Sequence, residues 1–423
     1  MHRRLISFLK ASLFCFGILT AAFWGLGWTS TSPKLKNGIW RATLHRPDGQ
    51  QIVFNFIAGD SGGKKVLYVI NAEERLLVDS IVFKKDSVFI QMPFFESSFR
   101  ARLTPGGNLR GLWTKRSGAT EQILPFEAVY NQRQRFAAPA RPRYNVSGRW
   151  AVHFTKKDNK VVAAVGEFSQ KGSRLTGTFL LPTGDYRYLE GVVTGDSLKL
   201  SCFDGSHAYL FTAKIENDST LSGGQFYAGA TGQETWVAHK NAAATLPEGS
   251  TDQTHMREGE TNLNFRFPAI DGGMVSIKDP VFANKVVVVQ IMGSWCPNCM
   301  DETAFLSDYY NANRQKGVEV VAIAYERSTD FERSKASLER FQKRFQVQYP
   351  MLVAGAMVSD PLRTEKTLPQ LDQIKVFPTT IFIDKKGRVR KIHSGFNGPG
   401  TGLHYEQFKK EFDDTINALL KEE

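Results

Sequence analysis

The stretch that decides the fold of the C-terminal region reads Val286-Val287-Val288-Val289-Gln290-Ile291-Met292-Gly293-Ser294-Trp295-Cys296-Pro297-Asn298-Cys299. Its opening run is uncharged and rich in β-branched residues, which predicts a buried parallel strand, and the residues after Cys299 are predicted to be helical. The two cysteines therefore fall at a strand-to-helix turn. A helix N-terminus offers free N–H groups and partial positive charge to a thiolate. We expect Cys296 to attack as the nucleophile and Cys299 to resolve the mixed disulfide.

The Cys-x-x-Cys spacing is compatible with three other kinds of site. A structural zinc site needs two further ligands, and the other cysteines, Cys15 and Cys202, are both distant in sequence. Covalent haem attachment needs a histidine directly after the second cysteine, where this chain has Met300. A structural disulfide across two intervening residues would constrain the unfolded chain little. We therefore favour a redox-active Cys296-Cys299 disulfide that works without a metal or another cofactor.

Length and composition are those of a multidomain globular protein. The chain has 423 residues, which predicts two to four domains, and 42% of them are hydrophobic and 23% charged. The formal net charge is +12, but the basic residues are scattered and no nucleic-acid-binding motif accompanies them. We expect no nucleic acid among the partners. Four cysteines are too few for a disulfide-stapled scaffold.

Residues 1–30 have the pattern of an export signal or a membrane anchor. Arg3, Arg4 and Lys10 precede the uncharged segment Ala11–Trp28. This segment is long for a cleaved signal peptide and short for a membrane span, so both interpretations stay open, and we favour the anchor. In either case the positive-inside rule leaves the arginines in the cytoplasm. The rest of the chain is predicted to lie in the cell envelope, on the periplasmic side.

Two segments of the N-terminal half repeat each other. Gly38-Ile39-Trp40 returns as Gly148-Arg149-Trp150, and Asp86-Ser87-Val88 returns at the same offset as Asp196-Ser197-Leu198. A repeat of this length indicates a duplicated domain rather than a solenoid. The two units are β repeat 1, residues 37–130, and β repeat 2, residues 146–240.

Each repeat consists of short alternating runs separated by turn residues such as Asp60-Ser61-Gly62-Gly63 and Pro105-Gly106-Gly107. This pattern predicts an antiparallel meander of about seven to nine strands, curled into a barrel so that its edges are hidden. The Gly-x-Trp opening resembles the first strand of lipocalin- and avidin-like barrels. So small a barrel leaves little interior room, and we expect its own side chains to fill it, with Cys202 among them. A bound lipid or cofactor in the tandem barrels is the alternative.

Two further segments are predicted to be linkers. Residues 132–144 interleave four arginines, among them Arg135, with alanine and proline, which indicates an extended and solvated connection between the repeats. Residues 241–262 lack apolar periodicity. We expect this second linker to let the C-terminal domain swing on the repeats.

From residue 263 onwards, apolar strands alternate with helical segments. The order predicts an α/β domain with a central mixed sheet, in which a crossover helix puts the dithiol at the carboxyl end of a strand. The predicted strands are Val286–Ile291, Val318–Ala324, Thr379–Ile383 and Val389–His393, and the predicted helices are Asp301–Gln315, Ser334–Phe345 and Tyr405–Leu420. The predicted fold class is multidomain, with two antiparallel all-β barrel or meander repeats followed by this domain at residues 263–423.

Four motifs of the C-terminal domain have counterparts in a known family. They are Phe267-Pro268-Ala269-Ile270-Asp271-Gly272, Trp295-Cys296-Pro297-Asn298-Cys299, Gly317-Val318-Glu319-Val320-Val321-Ala322-Ile323 and Phe377-Pro378-Thr379-Thr380-Ile381-Phe382-Ile383-Asp384-Lys385-Lys386-Gly387. With these motifs, residues 265–423 resemble the TlpA/ResA-like branch of the thioredoxin superfamily, which are extracytoplasmic thiol-disulfide oxidoreductases. Two β repeats before such a domain are similar to the arrangement in TlpA-family proteins of Bacteroidetes-type bacteria.

The resemblance implies roles for residues around the dithiol. Pro378 is expected to be cis and to sit against the disulfide, where Phe377 and Thr379 flank it and pair with an extended substrate segment. Trp295 covers the disulfide in relatives, and ordinary packing is its alternative role. Pro297 and Asn298, between the cysteines, complete the predicted substrate-docking surface.

Two positions concern proton transfer. Glu302 matches the acidic residue that ResA-like proteins place near the cysteines, where it tunes the thiols or relays a proton; alternatively it is a first-turn glutamate that favours any helix N-terminus. Gln290 stands where thioredoxins keep a buried acid, and its amide cannot exchange a proton. Deprotonation of Cys299 must then use Glu302, water or the substrate.

The sequence as a whole favours an extracytoplasmic, membrane-tethered thiol-disulfide oxidoreductase that acts reductively on disulfides of exported proteins. The resemblance implies recycling by a membrane electron donor of the DsbD/CcdA type. A thiol peroxidase is one alternative, but peroxiredoxins carry Pro-x-x-x-Thr-x-x-Cys, which the residues before Cys296 do not match. A ligand-binding tandem β-barrel protein with a redox appendage is the other.

Overall fold

The computed structural model describes residues 35–118, 120–247 and 253–422. These residues form two all-β sheets followed by an α/β domain, in agreement with the predicted fold class. The predicted signal peptide or anchor at residues 1–30 lies outside the described residues, as does Cys15. Within the described ranges, no helix is both long and apolar enough to span a membrane.

β repeat 1 is a curled antiparallel sheet of nine strands. The strands are β1 (Gly38–His45), β2 (Gln51–Ser61), β3 (Lys64–Asn71), β4 (Glu74–Val78), β5 (Ser80–Lys84), β6 (Ser87–Gln91), β7 (Ser97–Leu103), β8 (Leu109–Ser117) and β9 (Thr120–Tyr130). Their order across the sheet is β4-β3-β2-β1-β9-β8-β7-β6-β5. Because only Asp79 separates β4 from β5 in the chain, the two ends of the sheet come together and the sheet is barrel-like.

β repeat 2 has the same plan and closes by hydrogen bonds. Its strands are β10 (Gly148–Thr155), β11 (Val161–Lys171), β12 (Arg174–Leu181), β13 (Gly184–Asp185), β14 (Leu189–Thr194), β15 (Ser197–Phe203), β16 (Ala208–Asn217), β17 (Thr220–Ala228) and β18 (Gly232–Lys240). The order is β11-β10-β18-β17-β16-β15-β14-β12-β13, and an additional ladder joins β11 to β12. Closure pairs the edges that an open sheet would leave exposed.

Equivalent tryptophans show that the two repeats are built alike. Trp40 and Trp150 are both completely buried. Each donates its indole N–H to the carbonyl oxygen four residues earlier, Lys36 at 3.0 Å in one repeat and Val146 at 2.9 Å in the other. The interpretation of this region as a duplicated barrel-like domain is confirmed.

Both barrels are filled by their own side chains. Phe154, Phe179, Phe211 and Trp236 are buried inside β repeat 2, with their rings in mutual contact. Cys202 lies in the same core, completely buried, as expected. An apolar cavity inside β repeat 1 has a volume of about 10 Å³, roughly the space that one water molecule needs. These interiors give no support to a lipid or cofactor as the occupant.

The segment between the repeats is largely exposed, as its composition predicts, but Arg135 and Phe136 within it are buried. Arg135 is 5% exposed, and its guanidinium donates to the carbonyl oxygens of Ile70 and Ser201, the latter at 3.0 Å. Its ion pair with Glu190 spans 3.5 Å. A buried guanidinium requires such acceptors, and they come from both repeats. Arg135 therefore ties the barrels together, which the local sequence did not reveal.

The C-terminal domain is built around a five-stranded mixed sheet. Its elements are β19 (Arg266–Pro268), β20 (Met274–Ser276), β21 (Val286–Met292), α1 (Pro297–Asn313), β22 (Val318–Ala324), α2 (Phe331–Phe345), β23 (Met351–Val353), α3 (Arg363–Thr367), β24 (Thr379–Ile383), β25 (Val389–Ser394) and α4 (Leu403–Lys421), with single 3-10 turns at Pro280–Phe282, Arg314–Lys316 and Pro399–Thr401. The sheet order is β23-β22-β21-β24-β25, and β24 alone runs antiparallel to the other four strands. Every residue of the central β21 is buried. The dithiol follows this central strand.

Residues 241–262 are packed near both ends. Ala244 is buried against Val165 of β repeat 2. On the other side, Met256 forms a β-bridge with Leu371 of the C-terminal domain. The segment is thus attached to β repeat 2 near one end and to the C-terminal domain near the other, and the prediction that it lets the C-terminal domain swing on the repeats stays a prediction.

Candidate functional site

The dithiol lies at the first turn of α1. Cys296 is the N-cap residue and Pro297 occupies the first helical position, where its missing N–H removes no helical hydrogen bond. The N–H of Cys299 donates to Sγ of Cys296 at 3.3 Å. The helix thus begins at Pro297, earlier than the predicted Asp301. This start puts Cys296 at the positive end of the helix.

The two cysteines differ in burial. Cys299 is completely buried, whereas Cys296 is 6% exposed. Burial raises the pKa of the Cys299 thiol well above its usual range, and the neighbouring Cys296 and Glu302 raise it further. Cys299 therefore stays protonated at neutral pH. This asymmetry fits the predicted order in which Cys296 attacks and Cys299 resolves.

The loop before β24 faces Cys296. The peptide bond between Phe377 and Pro378 is cis, as predicted. Sγ of Cys296 lies 3.5 Å from the carbonyl oxygen of Phe377. The ring of Phe377 meets Trp295 edge-on at 5.4 Å, and the Trp295 indole donates to the carbonyl oxygen of Tyr325 at 2.8 Å. The structure thus brings Trp295, Phe377 and Pro378 together around Cys296.

Thr379 is turned into the core. Its side chain is completely buried, and its hydroxyl donates to the carbonyl oxygen of Val376 at 2.8 Å. Its backbone is in register with Ile291 on one side and Ser394 on the other. Thr379 is therefore paired on both sides in this structure, and these contacts do not support its predicted role in substrate docking. It is the first residue of an interior strand rather than the end of an open loop.

Glu302 is buried beside the dithiol and bonded to Gln290. Its Oε2 accepts from the Gln290 amide at 2.8 Å, and its Oε1 accepts from the Thr380 hydroxyl at 2.5 Å. Burial raises the pKa of Glu302 to about 7, although both hydrogen bonds favour the ionised form. A carboxyl group that titrates near neutrality is well suited to exchange protons. The arrangement therefore supplies an acid–base group next to Cys299.

The alternative role of Glu302, as a first-turn residue that favours the helix N-terminus, is wrong. Because α1 begins at Pro297, Glu302 lies in the second turn, and the first turn holds no acidic residue. Its side chain is completely buried in the protein. Gln290 occupies the strand position where thioredoxins keep their acid, so this chain carries the carboxyl group on the helix instead.

Glu326 holds the turn before the dithiol and is not among the predicted site residues. It comes directly after β22 and Tyr325, and its carboxylate accepts from the N–H and the hydroxyl of Ser294, both at 2.7 Å. Burial raises the pKa of Glu326. The sequence carried one signal for it. A residue that follows a parallel strand next to the central one lies at the sheet edge where α/β domains place functional side chains.

β repeat 2 contacts the first turn of α1. The Arg187 guanidinium binds Asp301 and approaches the carbonyl oxygen of Pro297 at 3.4 Å. Gly184 packs so closely on Asn298 that a Cβ at Gly184 would overlap Nδ2 of the amide. Pro297 and Asn298, predicted to dock substrate, are thus in contact with β repeat 2 in this structure, where Pro297 is buried and Asn298 half-buried. Repeats and redox domain are far apart in sequence, so no local pattern indicated the contact.

No group of three or more His, Cys, Asp or Glu side chains within the described ranges is placed to hold a metal ion. The site contains a thiol at a helix N-terminus, Cys296, a completely buried second thiol, Cys299, and a carboxyl group with a pKa near neutrality, Glu302. These are the groups that dithiol–disulfide exchange requires.

Comparison with known proteins agrees with this geometry. A Redoxin family model matches residues 257–407. The thiol-disulfide oxidoreductase ResA of Halalkalibacterium halodurans is 25% identical over 167 residues, which are 39% of this chain and 80% of that protein. ResA of Bacillus thuringiensis subsp. konkukian is 25% identical over 176 residues, 41% of this chain and 86% of that protein.

Solved structures align with a similar share of the chain. A thiol:disulfide interchange protein from Chlorobium tepidum has a TM-score of 0.29 and 20% identity, covering 38% of this chain and 95% of that one. A DsbF homologue from Corynebacterium diphtheriae has a TM-score of 0.30 and 22% identity, and the alignment covers 40% of this chain and 98% of that one. Residues 257–407 therefore match the Redoxin family model, and the C-terminal region that carries the cysteine pair is similar to ResA-type thiol-disulfide oxidoreductases.

Proposed function

We propose that the chain is an extracytoplasmic, membrane-tethered thiol-disulfide oxidoreductase that reduces disulfides of exported proteins. The observation that carries the proposal is the asymmetric dithiol on α1. Cys296 caps the helix beside the Phe377 carbonyl, and Cys299 lies completely buried behind it.

In the proposed reaction, the Cys296 thiolate attacks one sulfur of a substrate disulfide. The substrate S–S bond breaks, a Cys296–substrate disulfide forms, and the released substrate sulfur takes up a proton. Cys299 then loses its proton and attacks Sγ of Cys296. The second substrate thiolate leaves and is protonated. The substrate has gained two electrons and the enzyme holds a Cys296-Cys299 disulfide.

Glu302 is the proposed acceptor of the Cys299 proton. The high pKa of Cys299 means that the resolving step needs a base, and Gln290 cannot serve. Glu302 titrates at about 7 and lies close enough to influence Cys299 electrostatically. At pH values near 7 a substantial part of Glu302 is ionised and ready to accept a proton.

The location and the electron donor are proposed from the sequence. The basic residues Arg3, Arg4 and Lys10 followed by an uncharged segment support export and a membrane tether. A dithiol that is oxidised in each turnover needs a source of electrons, and a membrane donor of the DsbD/CcdA type would supply them on the periplasmic side. A site placed beside the membrane would shorten the path to such a donor.

The roles of the cysteines are tested by insulin-disulfide reduction with the full chain. We expect Cys296→Ser to abolish reduction, because the nucleophile is lost. Cys299→Ser should form a mixed disulfide that persists, which non-reducing electrophoresis detects. Cys202→Ala is the matched control, since Cys202 is buried in β repeat 2, and it should retain activity. Equal trapping by both active-site variants would refute the assignment.

The direction of electron flow is tested by the reduction potential of the pair, measured by equilibration with dithiothreitol. A potential near that of thioredoxin, about −270 mV, supports a reductant, whereas one near that of DsbA, about −120 mV, indicates an oxidant. The reductive proposal therefore requires a value near the lower of the two.

A further inference from the structure

Residues 182–187 of β repeat 2, which we call the cover segment, pack against the start of α1 beside the dithiol. The segment runs from the end of β12 through β13 to Arg187. Cys296, the thiol that has to reach a substrate, is only 6% exposed with the segment in place. The cover segment therefore lies beside the proposed nucleophile, although it belongs to a domain that the redox chemistry itself does not use.

The cover segment touches both sides of the dithiol. Gly184 packs on Asn298, the residue just before Cys299, with no room for a Cβ between them. Thr183 packs on Gly395, where an added Cβ would lie 3.2 Å from the Thr183 backbone. The N–H of Gly395 donates to the carbonyl oxygen of Pro378 at 2.8 Å. The segment thus lies against the loop that a docked substrate would have to reach.

Hydrogen bonds hold the cover segment to the redox domain. Oδ2 of Asp185 accepts from the N–H of Gly398 at 2.8 Å, and its Oδ1 accepts from the N–H of Arg187 at 2.5 Å. Asp185 is buried, so these partners replace the water that its carboxyl group would otherwise bind. The contact is therefore specific and not a loose apposition of two surfaces.

Arg187 anchors the cover segment to all three parts of the described chain. Its side chain is 2% exposed, and its guanidinium binds Glu74 of β repeat 1 and Asp301 of α1, with Asp204 of β repeat 2 at 3.5 Å. Burial works to lower the pKa of Arg187, but these three carboxyl groups outweigh it and hold the pKa well above its usual range. Without the guanidinium, three buried carboxyl groups would face one another, and the closed arrangement would be disfavoured.

The space left beside Trp295 is small. A pocket between β repeat 1 and the redox domain, lined among others by Lys115, Trp295 and Arg327, has a volume of about 40 Å³. That is far below the roughly 300 Å³ at which pockets begin to hold drug-sized ligands. Attack on a disulfide requires the sulfurs to come within about 3.5 Å of each other. Because no whole disulfide molecule fits into that pocket, a disulfide has to approach Cys296 over the surface of the site. There the surface of a compact protein would collide with the cover segment, whereas a small disulfide has little surface to do so.

We propose that the cover segment, held by Arg187, determines substrate size. With the segment in place the dithiol accepts small disulfides, and disulfides on compact proteins enter only when the segment is displaced. The inference rests on the proposed thiol-disulfide oxidoreductase function and adds a specificity element that lies in β repeat 2.

The test compares two substrates on the reduced full chain. Bis(2-hydroxyethyl) disulfide is small and uncharged, so losing an arginine does not change its attraction to the site, and insulin is the protein substrate. We expect Arg187→Gln to raise the rate of insulin reduction at least 10-fold while the rate with the small disulfide changes less than 3-fold. An unchanged ratio of the two rates would overturn the proposal.

Three further variants separate this role from general damage to the fold. Arg187→Lys keeps the positive charge, so its ratio of the insulin rate to the small-disulfide rate should stay within 3-fold of the ratio for the original chain. Arg174→Gln is the matched control, because this half-exposed arginine of β repeat 2 binds Glu190, and its ratio should not change. Asp185→Asn weakens the contact with Gly398 and should shift the ratio in the same direction as Arg187→Gln.

If circular dichroism shows that Arg187→Gln does not fold, Asp185→Asn becomes the deciding variant. The proposal is then overturned if Asp185→Asn leaves the ratio of the insulin rate to the small-disulfide rate unchanged. A second readout does not depend on turnover: alkylation of Cys296 by iodoacetamide should be at least 5-fold faster in the opened variant, and an equal rate counts against the cover. An original chain that reduces neither disulfide would instead contradict the proposed function.

Discussion

At the scale of single residues, the exchange of roles between Gln290 and Glu302 is the main feature of the site. The carboxyl group of Glu302 sits in an apolar core with two hydrogen bonds, from Gln290 and Thr380. Burial disfavours its charged form more than these bonds favour it, which is why its pKa reaches about 7. The same pKa shift that makes Glu302 useful as a base lowers the stability of the folded state at high pH, because the buried carboxyl group is then charged.

We predict that Glu302→Gln removes a pH-dependent part of the stability. The pKa of Glu302 rises from an ordinary 4.5 to about 7 on folding, so the folded state binds its proton more tightly. The stabilisation of the folded state that comes from this tighter proton binding is fully present below pH 4.5 and is lost as the pH rises through 7. The loss amounts to about 3 kcal/mol for such a shift. Urea unfolding at pH 4.5 and pH 8 should show this decline in the original chain relative to the variant.

The control for this prediction is Glu258→Gln, because Glu258 is an exposed carboxyl group just before the C-terminal domain. Its unfolding free energy should follow the same pH dependence as the original chain. Identical pH dependence of Glu302→Gln and the original chain would contradict the buried-acid interpretation. In activity assays, Glu302→Gln should slow resolution of the mixed disulfide about 10-fold or more, the typical size of an acid–base contribution being 10²–10⁴.

At the scale of elements, helix starts are where sequence and structure differ most. The predicted helix starts are both too late: α1 is predicted to begin at Asp301 and α2 at Ser334, whereas they begin at Pro297 and Phe331. Pro297 at the first position of α1 and Asp330 as the N-cap of α2 set the observed starts. Several residues before α2 are good caps, so the sequence alone does not select among them.

We predict that Asp330→Ala lowers the unfolding free energy by about 1 kcal/mol, the usual loss on removing an N-cap. Oδ1 of Asp330 accepts from the N–H of Arg333 at 3.0 Å, and alanine leaves that donor without its partner. Asp330→Asn keeps an acceptor and loses only the charge, so it should be less destabilising. Urea unfolding of the three chains measures the difference, and equal losses in both variants would argue against the cap.

At the scale of the whole molecule, the repeats are joined to the redox domain by packed interfaces. On one side, Phe94 of β repeat 1 stacks on Phe345 of α2 at 5.4 Å and meets Phe341 edge-on at 5.0 Å. Beside them, Arg333 donates to both oxygens of Glu96, at 3.0 and 2.7 Å. On the other side lie the contacts of the cover segment. The repeats therefore position the redox domain from two sides.

We predict that Phe94→Ala destabilises the chain by about 3 kcal/mol, as expected when a buried aromatic ring is removed from a packed contact. Phe94 is 2% exposed, and the rings of Phe341 and Phe345 would lose their partner. Phe89→Ala is the matched control, since Phe89 of the same repeat is 40% exposed and its loss should change the unfolding free energy by less than about 0.5 kcal/mol. Urea unfolding followed by tryptophan fluorescence compares the two, and equal effects would refute a structural role for the interface.

The sequence by itself determined the parts of this protein that depend on local pattern. Alternation, turn residues and the Gly-x-Trp repeat indicated two β barrels, and the apolar run before Cys296 indicated the central strand. The position of the dithiol at a strand-to-helix turn followed directly, because strand and helix periodicities are encoded by neighbouring residues.

Only the tertiary structure decided which residues meet across long separations. The burial of Arg135 and Thr379, the Glu326 clamp on Ser294 and the cover formed by Arg187 all depend on partners that local sequence does not indicate. From local sequence alone, charged and polar residues are predicted to be exposed to solvent. They can be buried when the fold supplies hydrogen-bond partners from distant segments. The chemistry of the dithiol was therefore predictable, whereas the packing of β repeat 2 on α1 beside it was decided only by the tertiary structure.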